Sequence, residues 1–313
     1  MNEKAAKVGG QGWQPRGATF AEDMPGVWGD WGVASEFGRL RAVLLHRPGA
    51  EIDRVTDYNA ALWMAPMDCE LARRQHDAMA DAYRAHGVAI HYIEHADPDK
   101  PNSHFVRDQM LMTPEGVIVA RPASRQRAGE ERYLCEALGR IGVPVLLTVH
   151  GDGLFEGADA ALAGRGLAFV AQGMRTNGAG ADQVAWALRQ LRFNVVRIQL
   201  PPPTRSVHLD GVLTIVSPNL ALYRPELPAL ARDTLSEHGF QLFCIPEEDR
   251  NMPGNVVALA PGNVLMPAGN PHTKRLLEDA GCRVEEVDTS EINKSGGSIH
   301  CMTGFLRREE GDR

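Results

Sequence analysis

From about residue 35 onward, short apolar runs alternate with longer stretches of helical periodicity. Apolar runs of four to eight residues read as strands, and i, i+3, i+4 spacing reads as amphipathic helix. The first run is Leu40 to His46, followed by a helical pattern over Asp68 to His86 and a strand over Ala89 to Ile93. Next comes Gln109 to Ala120, broken by Thr113-Pro114-Glu115-Gly116, which reads as a hairpin. A helical pattern over Arg125 to Ile141 and a strand over Val143 to Val149 complete that unit. The same order recurs three more times. Hairpins span Ala160 to Gln172, Gly211 to Tyr223 and Val256 to Met266. Helices follow over Ala179 to Leu191, Leu227 to His238 and Pro271 to Ala280. Strands close the units over Asn194 to Leu200, Phe240 to Ile245 and Cys282 to Val287.

Each unit is strand, turn, strand, helix, strand. A doubly wound sheet uses single strands alternating with helices, so it does not accommodate this order. Five ββαβ units around an axis give a closed α/β propeller with five-fold pseudosymmetry. The apolar run after Cys301 supplies the strand that the first unit lacks, and so latches the ring. The expectation is a single domain over residues 31–313. Residues 1–30, rich in Gly and Pro and holding Trp13 and Trp28, form an arm lying on it.

Composition narrows the function. The 313 residues are 43% hydrophobic and 23% charged, as in a soluble globular chain. A formal net charge of -7 speaks against nucleic acid or an anionic membrane as partner. No apolar run nears the roughly 20 residues of a membrane span, and the N-terminus lacks a signal-peptide layout. Five cysteines at irregular spacing, with no C-x-x-C, point to a reducing cytoplasm and away from a structural zinc site. The Gly-rich runs lack the G-x-G-x-x-G layout, so no nucleotide cofactor is expected.

The candidate chemistry sits in the loops that precede each hairpin. These are Phe105-Val106-Arg107-Asp108, Phe155-Glu156-Gly157-Ala158-Asp159, Val207-His208-Leu209-Asp210, Met252-Pro253-Gly254-Asn255, and Cys301 after Gly296-Gly297. From Asp108 to Glu156, His208, Asn255 and Cys301 the intervals are 48, 52, 47 and 46 residues, one repeat each. Equivalent loops of a ring face one axial end, so Asp108, Glu156, His208, Asp210 and Cys301 are expected to converge. Ionised carboxylates accept hydrogen bonds, and a planar cation with many N–H donors, such as guanidinium, suits them. Thiolate attack on the guanidinium carbon, with His208 as general acid and then base, gives a covalent thiouronium-type intermediate. The Gly-supported turn presents the thiol rather than burying it.

These motifs resemble the guanidino-group-modifying enzymes of the pentein fold: arginine deiminases, dimethylarginine dimethylaminohydrolases and glycine amidinotransferases. Phe-Val-Arg-Asp108 is similar to their F-x-R-D, Glu156-Gly-Ala-Asp159 to E-G-x-D and His208-Leu-Asp210 to H-L-D. Gly296-Gly297-Ser-Ile-His-Cys301 resembles the terminal nucleophile motif, and Ser35 to Arg41 the opening strand. The match runs from about residue 30 to the end. The resemblance implies that Asp108 and Asp210 clamp the guanidinium, His208 is the acid/base and Cys301 the nucleophile. Glu156 orients His208 or the substrate nitrogens. Gly173-Met174-Arg175-Thr176-Asn177 is similar to the family's G-x-x-R-T-N, which assigns Arg175 to a substrate carboxylate.

Two departures matter. Dimethylarginine hydrolases tend to lack an Asp two residues after the histidine, so Asp210 tilts the reading towards deiminase, dihydrolase or transferase chemistry. The chain is also shorter than arginine deiminases, which counts against arginine itself. The expected function is hydrolysis of a guanidino compound of arginine metabolism, releasing ammonia or an amine and leaving a ureido product. Amidino transfer is the alternative, and a non-catalytic pentein binding protein a more distant one. A cysteine peptidase fits less well, because it does not want three carboxylates around its thiol.

Other residues have plainer readings. Arg107 either touches substrate or forms an internal ion pair. Asp159 caps or braces its loop. Asn255 is a member of the loop set or a plain turn residue. His300 points away from Cys301 on an extended backbone. Cys69, Cys135, Cys244 and Cys282 are expected as core thiols. No metal is expected, and a homo-oligomer is left open.

Overall fold

A computed structural model describes residues 5–203 and 206–309. The first four residues of the expected arm, and residues 310–313 of the expected domain, lie outside them.

Among the described residues, fifteen strands form five three-stranded sheets of one design. In unit two, β3 (Met110–Thr113) pairs antiparallel with β4 (Gly116–Val119), which pairs parallel with β5 (Val145–Thr148). Unit three repeats this with β6 (Ala160–Gly164), β7 (Leu167–Gln172) and β8 (Asn194–Gln199). Unit four has β9 (Leu213–Ser217), β10 (Leu220–Tyr223) and β11 (Gln241–Cys244). Unit five has β12 (Val257–Ala260), β13 (Asn263–Pro267) and β14 (Arg283–Val287).

Unit one is assembled from both halves of the sequence. Its central strand β1 (Arg39–Leu45) pairs parallel with β2 (Ala89–Tyr92) and antiparallel with β15 (Gly304–Glu309). Val43 faces Phe305 and Leu44 faces Gly304 across that last pairing. The strand after Cys301 therefore closes the ring, as the apolar pattern predicts.

The burial pattern explains why the strands read so clearly. The first strand of units two, three and four is buried at every position, so it reads as a near-continuous apolar run. The third strand of each unit keeps exposed positions, as in Val145, Asn194 and Gln241. The crossover helices are α2 (Cys69–Ala85), α4 (Glu130–Ile141), α5 (Gly178–Gln190), α6 (Ala229–Glu237) and α7 (Pro271–Asp279). They close the parallel connection that such a sheet requires.

Four details differ from the sequence reading. A helix, α1 (Phe20–Val27), forms in the arm under a Thr19–Glu22 capping box. The arm then joins the body, where the Gly32 amide donates to Leu306 O at 2.9 Å and the Arg308 amide to Gly32 O at 2.9 Å. Residues 125–129, expected as the first turn of a helix, are loop. Gly129 at φ 101° holds a left-handed turn there, and α4 starts only at Glu130. Thirdly, the loops ahead of the hairpins are wound. Val106–Gln109 (α3) and Ile299–Met302 (α8) each form one helical turn, and Gly157–Asp159 and Leu209–Gly211 each form a 3-10 turn. Fourthly, Cys244 is exposed and Cys69 and Cys135 only half-buried, so Cys282 alone of that group is a buried thiol. Cys244 ends an outer strand, where one face meets solvent.

Candidate active site

The wound loops gather at one cleft of about 230 Å³, lined by Asp108, Arg127, Arg175, His208, Asp210 and Cys301 among others. The convergence predicted from the repeat spacing is present for Asp108, His208, Asp210 and Cys301. Glu156 lies just beneath, fully buried, and reaches the cleft through His208.

Backbone contact between loops sets this geometry. A Cβ on Gly157 would run into the carbonyls of Met110 and Arg107, so the loop before β6 packs directly on the one before β3. Asp159 then ties the third loop to the fourth. Its Oδ1 accepts from the Leu209 amide at 3.0 Å and its Oδ2 from the Thr176 hydroxyl at 2.6 Å. Burial pushes the Asp159 carboxyl up to about 7. It braces the loops and lies away from the cleft. The Arg175-Thr176-Asn177 run divides its work. Arg175 faces the cleft, the Thr176 hydroxyl accepts from the Glu156 amide at 3.3 Å, and the Asn177 side chain caps α5 through the Gly180 amide at 2.9 Å.

His208 and Glu156 form the tightest pair. Nε2 lies 2.7 Å from Glu156 Oε2, and Nδ1 lies 3.8 Å from Asp108 Oδ1. Burial opposes a charge on the imidazole, but the Asp108 charge and the Glu156 hydrogen bond outweigh it and raise the pKa to about 10. Glu156 shows the reciprocal effect. Burial raises its pKa, yet the His208 bond and charge bring it to about 2. The pair is an imidazolium and a carboxylate at neutral pH.

Arg127, which the helix reading concealed, is a second buried cation of the site. It donates to Asp108 Oδ2, to Glu130 Oε2 at 2.8 and 2.9 Å, and to the carbonyls of Asn102 and Phe105. Its signal in the sequence is Gly129, which stops a helix from running back over it. Burial against this pair raises Glu130 to about 7. Asp108 keeps its other oxygen, Oδ1, buried without a hydrogen-bond donor.

Cys301 sits on the α8 turn, 8% exposed. It is recessed at the cleft floor rather than presented on an open turn. Gly296 adopts φ 97°, while Gly297 is needed because a Cβ there would press on the Phe105 ring. Sγ accepts from Asn255 Nδ2 at 3.0 Å and lies 3.7 Å from Asp210 Oδ2. Burial first, then the Asp210 and Asp108 charges, push the thiol well above its ordinary range.

His300 is on the same helical turn, not on extended backbone. Its Nδ1 lies 3.0 Å from Asp210 Oδ2 and its Nε2 3.5 Å from Glu36 Oε2. Arg107 does not line the cleft. It pairs with Glu36 at 2.9 Å and donates to Ala160 O at 2.7 Å, which is the internal ion pair, not the substrate contact. Among the described residues, Asp108, Glu156 and His208 are a set whose ligand atoms lie within 4.8 Å of one another. A metal ion there would compete with Arg127 and with the proton of His208 for the same oxygens.

The family model of eukaryotic N,N dimethylarginine dimethylhydrolase matches residues 64–308. A dimethylarginine dimethylaminohydrolase of Streptomyces coelicolor is 31% identical over 245 residues, covering 77% of this chain and 88% of the relative. This chain belongs to the dimethylarginine dimethylaminohydrolase family. A Pseudomonas aeruginosa member, a cysteine-to-serine mutant complexed with citrulline, superposes with a TM-score of 0.73 at 25% identity over 85% of this chain and 99% of its own. An arginine deiminase of Borrelia duttonii is 23% identical, covering 89% of this chain and 98% of the deiminase. The fold is the pentein propeller, and the family's enzymes are cysteine-dependent hydrolases of C–N bonds in linear amidines. Hydrolysis, not amidino transfer, is therefore the activity of this family. No helix among the described residues is long and apolar enough to cross a membrane.

Proposed function

We propose that the cleft binds the guanidinium of an arginine derivative between Asp108 and Asp210 and hydrolyses it through Cys301. The ring from residue 31 onward is the catalytic unit, preceded by an N-terminal arm. One observation carries the reading: Asp108 Oδ1 is buried without a donor, on the wall of a cleft that has a thiol at its floor. A buried carboxylate oxygen without a hydrogen-bond donor is costly, and a planar cation with several N–H groups satisfies it.

The reaction runs in two halves. The arriving cation offsets the Asp210 and Asp108 charges, and Cys301 releases its proton to solvent. The thiolate forms an S–C bond to the guanidinium carbon. His208, already an imidazolium, protonates the departing nitrogen as the C–N bond breaks. A thiouronium cation remains on Cys301 and His208 is neutral. His208 then takes a proton from water, whose oxygen adds to the same carbon. Collapse expels the Cys301 thiolate, the hydroxyl proton leaves to solvent, and a ureido product is released. Glu156 holds His208 in position throughout. Arg175, which lines the cleft 3.4 Å from Glu156, is our candidate for binding a substrate carboxylate.

Asp210 bears on which nitrogen leaves. It stands beside the sulfur, and a carboxylate there calls for N–H rather than methyl groups. The favoured substrate therefore has an unmethylated or singly methylated terminal nitrogen. A dimethylated nitrogen seated on the Asp210 side would set two methyl groups against its carboxylate.

The test is a panel of arginine, mono- and dimethylated arginines, agmatine and guanidino acids, assayed for ammonia, amine and ureido product. The reading expects turnover of at least one guanidine, with the unmethylated or monomethylated member preferred. No turnover of any member by folded protein would refute it.

A further inference from the structure

The Met252–Asn255 stretch of the fifth loop carries neither acid nor base. Where units two, three and four place Asp108, Glu156 and His208, unit five places Asn255. Its side chain is buried, lines the cleft and contacts the sulfur.

The orientation of the amide is fixed by the backbone. Asn255 Oδ1 accepts from the His300 amide at 2.8 Å and from the Cys301 amide at 3.3 Å. Two N–H donors demand an oxygen there, so the NH₂ end faces Sγ, at 3.0 Å. The loop is itself pinned. The Asn255 amide donates to Met252 O at 2.9 Å, and the Thr214 hydroxyl donates to Gly254 O. One side chain thus holds the turn that bears the thiol and points a donor at the reacting atom.

The charged surroundings make that donor matter. Asp210 and Asp108 face the sulfur and oppose a thiolate. The imidazole and guanidinium groups nearby are committed elsewhere: His208 to Glu156, His300 to Asp210, and Arg127 to Asp108 and Glu130. A neutral amide can donate to sulfur without attracting either carboxylate out of the guanidinium clamp. An Asp at this position would keep both backbone bonds but would bring a third anion against the sulfur.

We propose that Asn255 is a catalytic residue, which stabilises the Cys301 thiolate by donating its Nδ2–H to Sγ while its Oδ1 holds the Cys301 turn. The inference rests on the assignment of Cys301 as nucleophile. It predicts a property of the free enzyme that can be read without turnover.

The experiment is alkylation of Cys301 by iodoacetamide across pH in wild type, N255D and N255A. The Cys301 peptide is followed by mass spectrometry, because Cys244 is exposed and also reacts. Thermal melts run alongside. The midpoint of Cys301 alkylation should rise by about one pH unit in N255A and by more in N255D, on the scale of one lost hydrogen bond to a charged group. For whichever guanidine is turned over, kcat should fall about tenfold or more while KM changes little. N255D keeps the Oδ1 acceptor, so it reports even if N255A is unstable. Midpoints that superimpose on wild type in a folded variant would overturn the proposal, whatever the activity. A shifted midpoint in an enzyme that turns over no guanidine would support this role for Asn255 and sink the substrate assignment instead.

Discussion

Glu156 Oε2 and His208 Nε2 lie 2.7 Å apart, buried beneath the cleft, as a carboxylate and an imidazolium. His208 therefore enters the reaction holding the proton that the leaving nitrogen needs. Its folded pKa is raised from 6.5 to about 10, so the stability it contributes is complete below about 6.5 and is lost as pH rises through about 10. Glu156 is depressed from 4.5 to about 2, so its contribution is complete above about 4.5 and is lost as pH falls through about 2. Glu156→Gln should cost about 3 kcal/mol near neutral pH, because it leaves a buried imidazolium without this partner. Urea unfolding across pH should show the gap to wild type narrowing toward both limits. An NMR titration of His208 in the variant should move toward the ordinary histidine value. An unchanged His208 titration would contradict the pairing.

Arg127 balances Asp108 and Glu130 where water cannot. Arg127→Met should destabilise the fold by about 3–5 kcal/mol, the usual cost of leaving a buried charge unpaired. Adding Glu130→Gln should recover part of that loss, since it removes one of the stranded carboxylates. Equal stability of the single and double variants would show that the two groups are not coupled.

Asp210 stands against both the thiol and the substrate cation, so its two effects oppose each other. Asp210→Asn should make Cys301 alkylate at lower pH in the free enzyme, because one charge that disfavours the thiolate is gone. The same change should lower kcat/KM for unmethylated guanidines by about 100-fold or more, from loss of a charge-assisted contact. Loss of turnover without faster alkylation would contradict this electrostatic role.

The ring is closed by the last strand, in which Phe305 is 2% exposed and faces Val43 of β1. Phe305→Ala should cost about 3–5 kcal/mol in urea unfolding. A loss under 1 kcal/mol would show that the latch contributes little.

Much of this was legible in the chain because the fold repeats. Strands buried on both faces leave near-continuous apolar runs, and the loops ahead of Met110, Ala160 and Leu213 fall one repeat apart. What could not be read is local and tertiary. Arg127 lay inside a helical pattern, and only Gly129 marked the break. Whether Arg107 faced substrate or Glu36 depended on a partner 71 residues away. The recess of Cys301 came from α8 winding and from Phe105 against Gly297, neither of which leaves a periodic trace. Asn255 could be read equally as a member of the loop set or a plain turn residue, because its partners are backbone amides some 45 residues on.

The most direct test of the account is the state of Cys301 during turnover. A turned-over guanidine is mixed with enzyme, quenched rapidly in acid, and the Cys301 peptide is weighed by mass spectrometry. The account predicts a transient adduct on Cys301, with the mass of the substrate less the departing ammonia or amine, and no adduct or turnover in Cys301→Ser. Steady turnover with Cys301 unmodified at every quench time, or full activity in the serine variant, would contradict it.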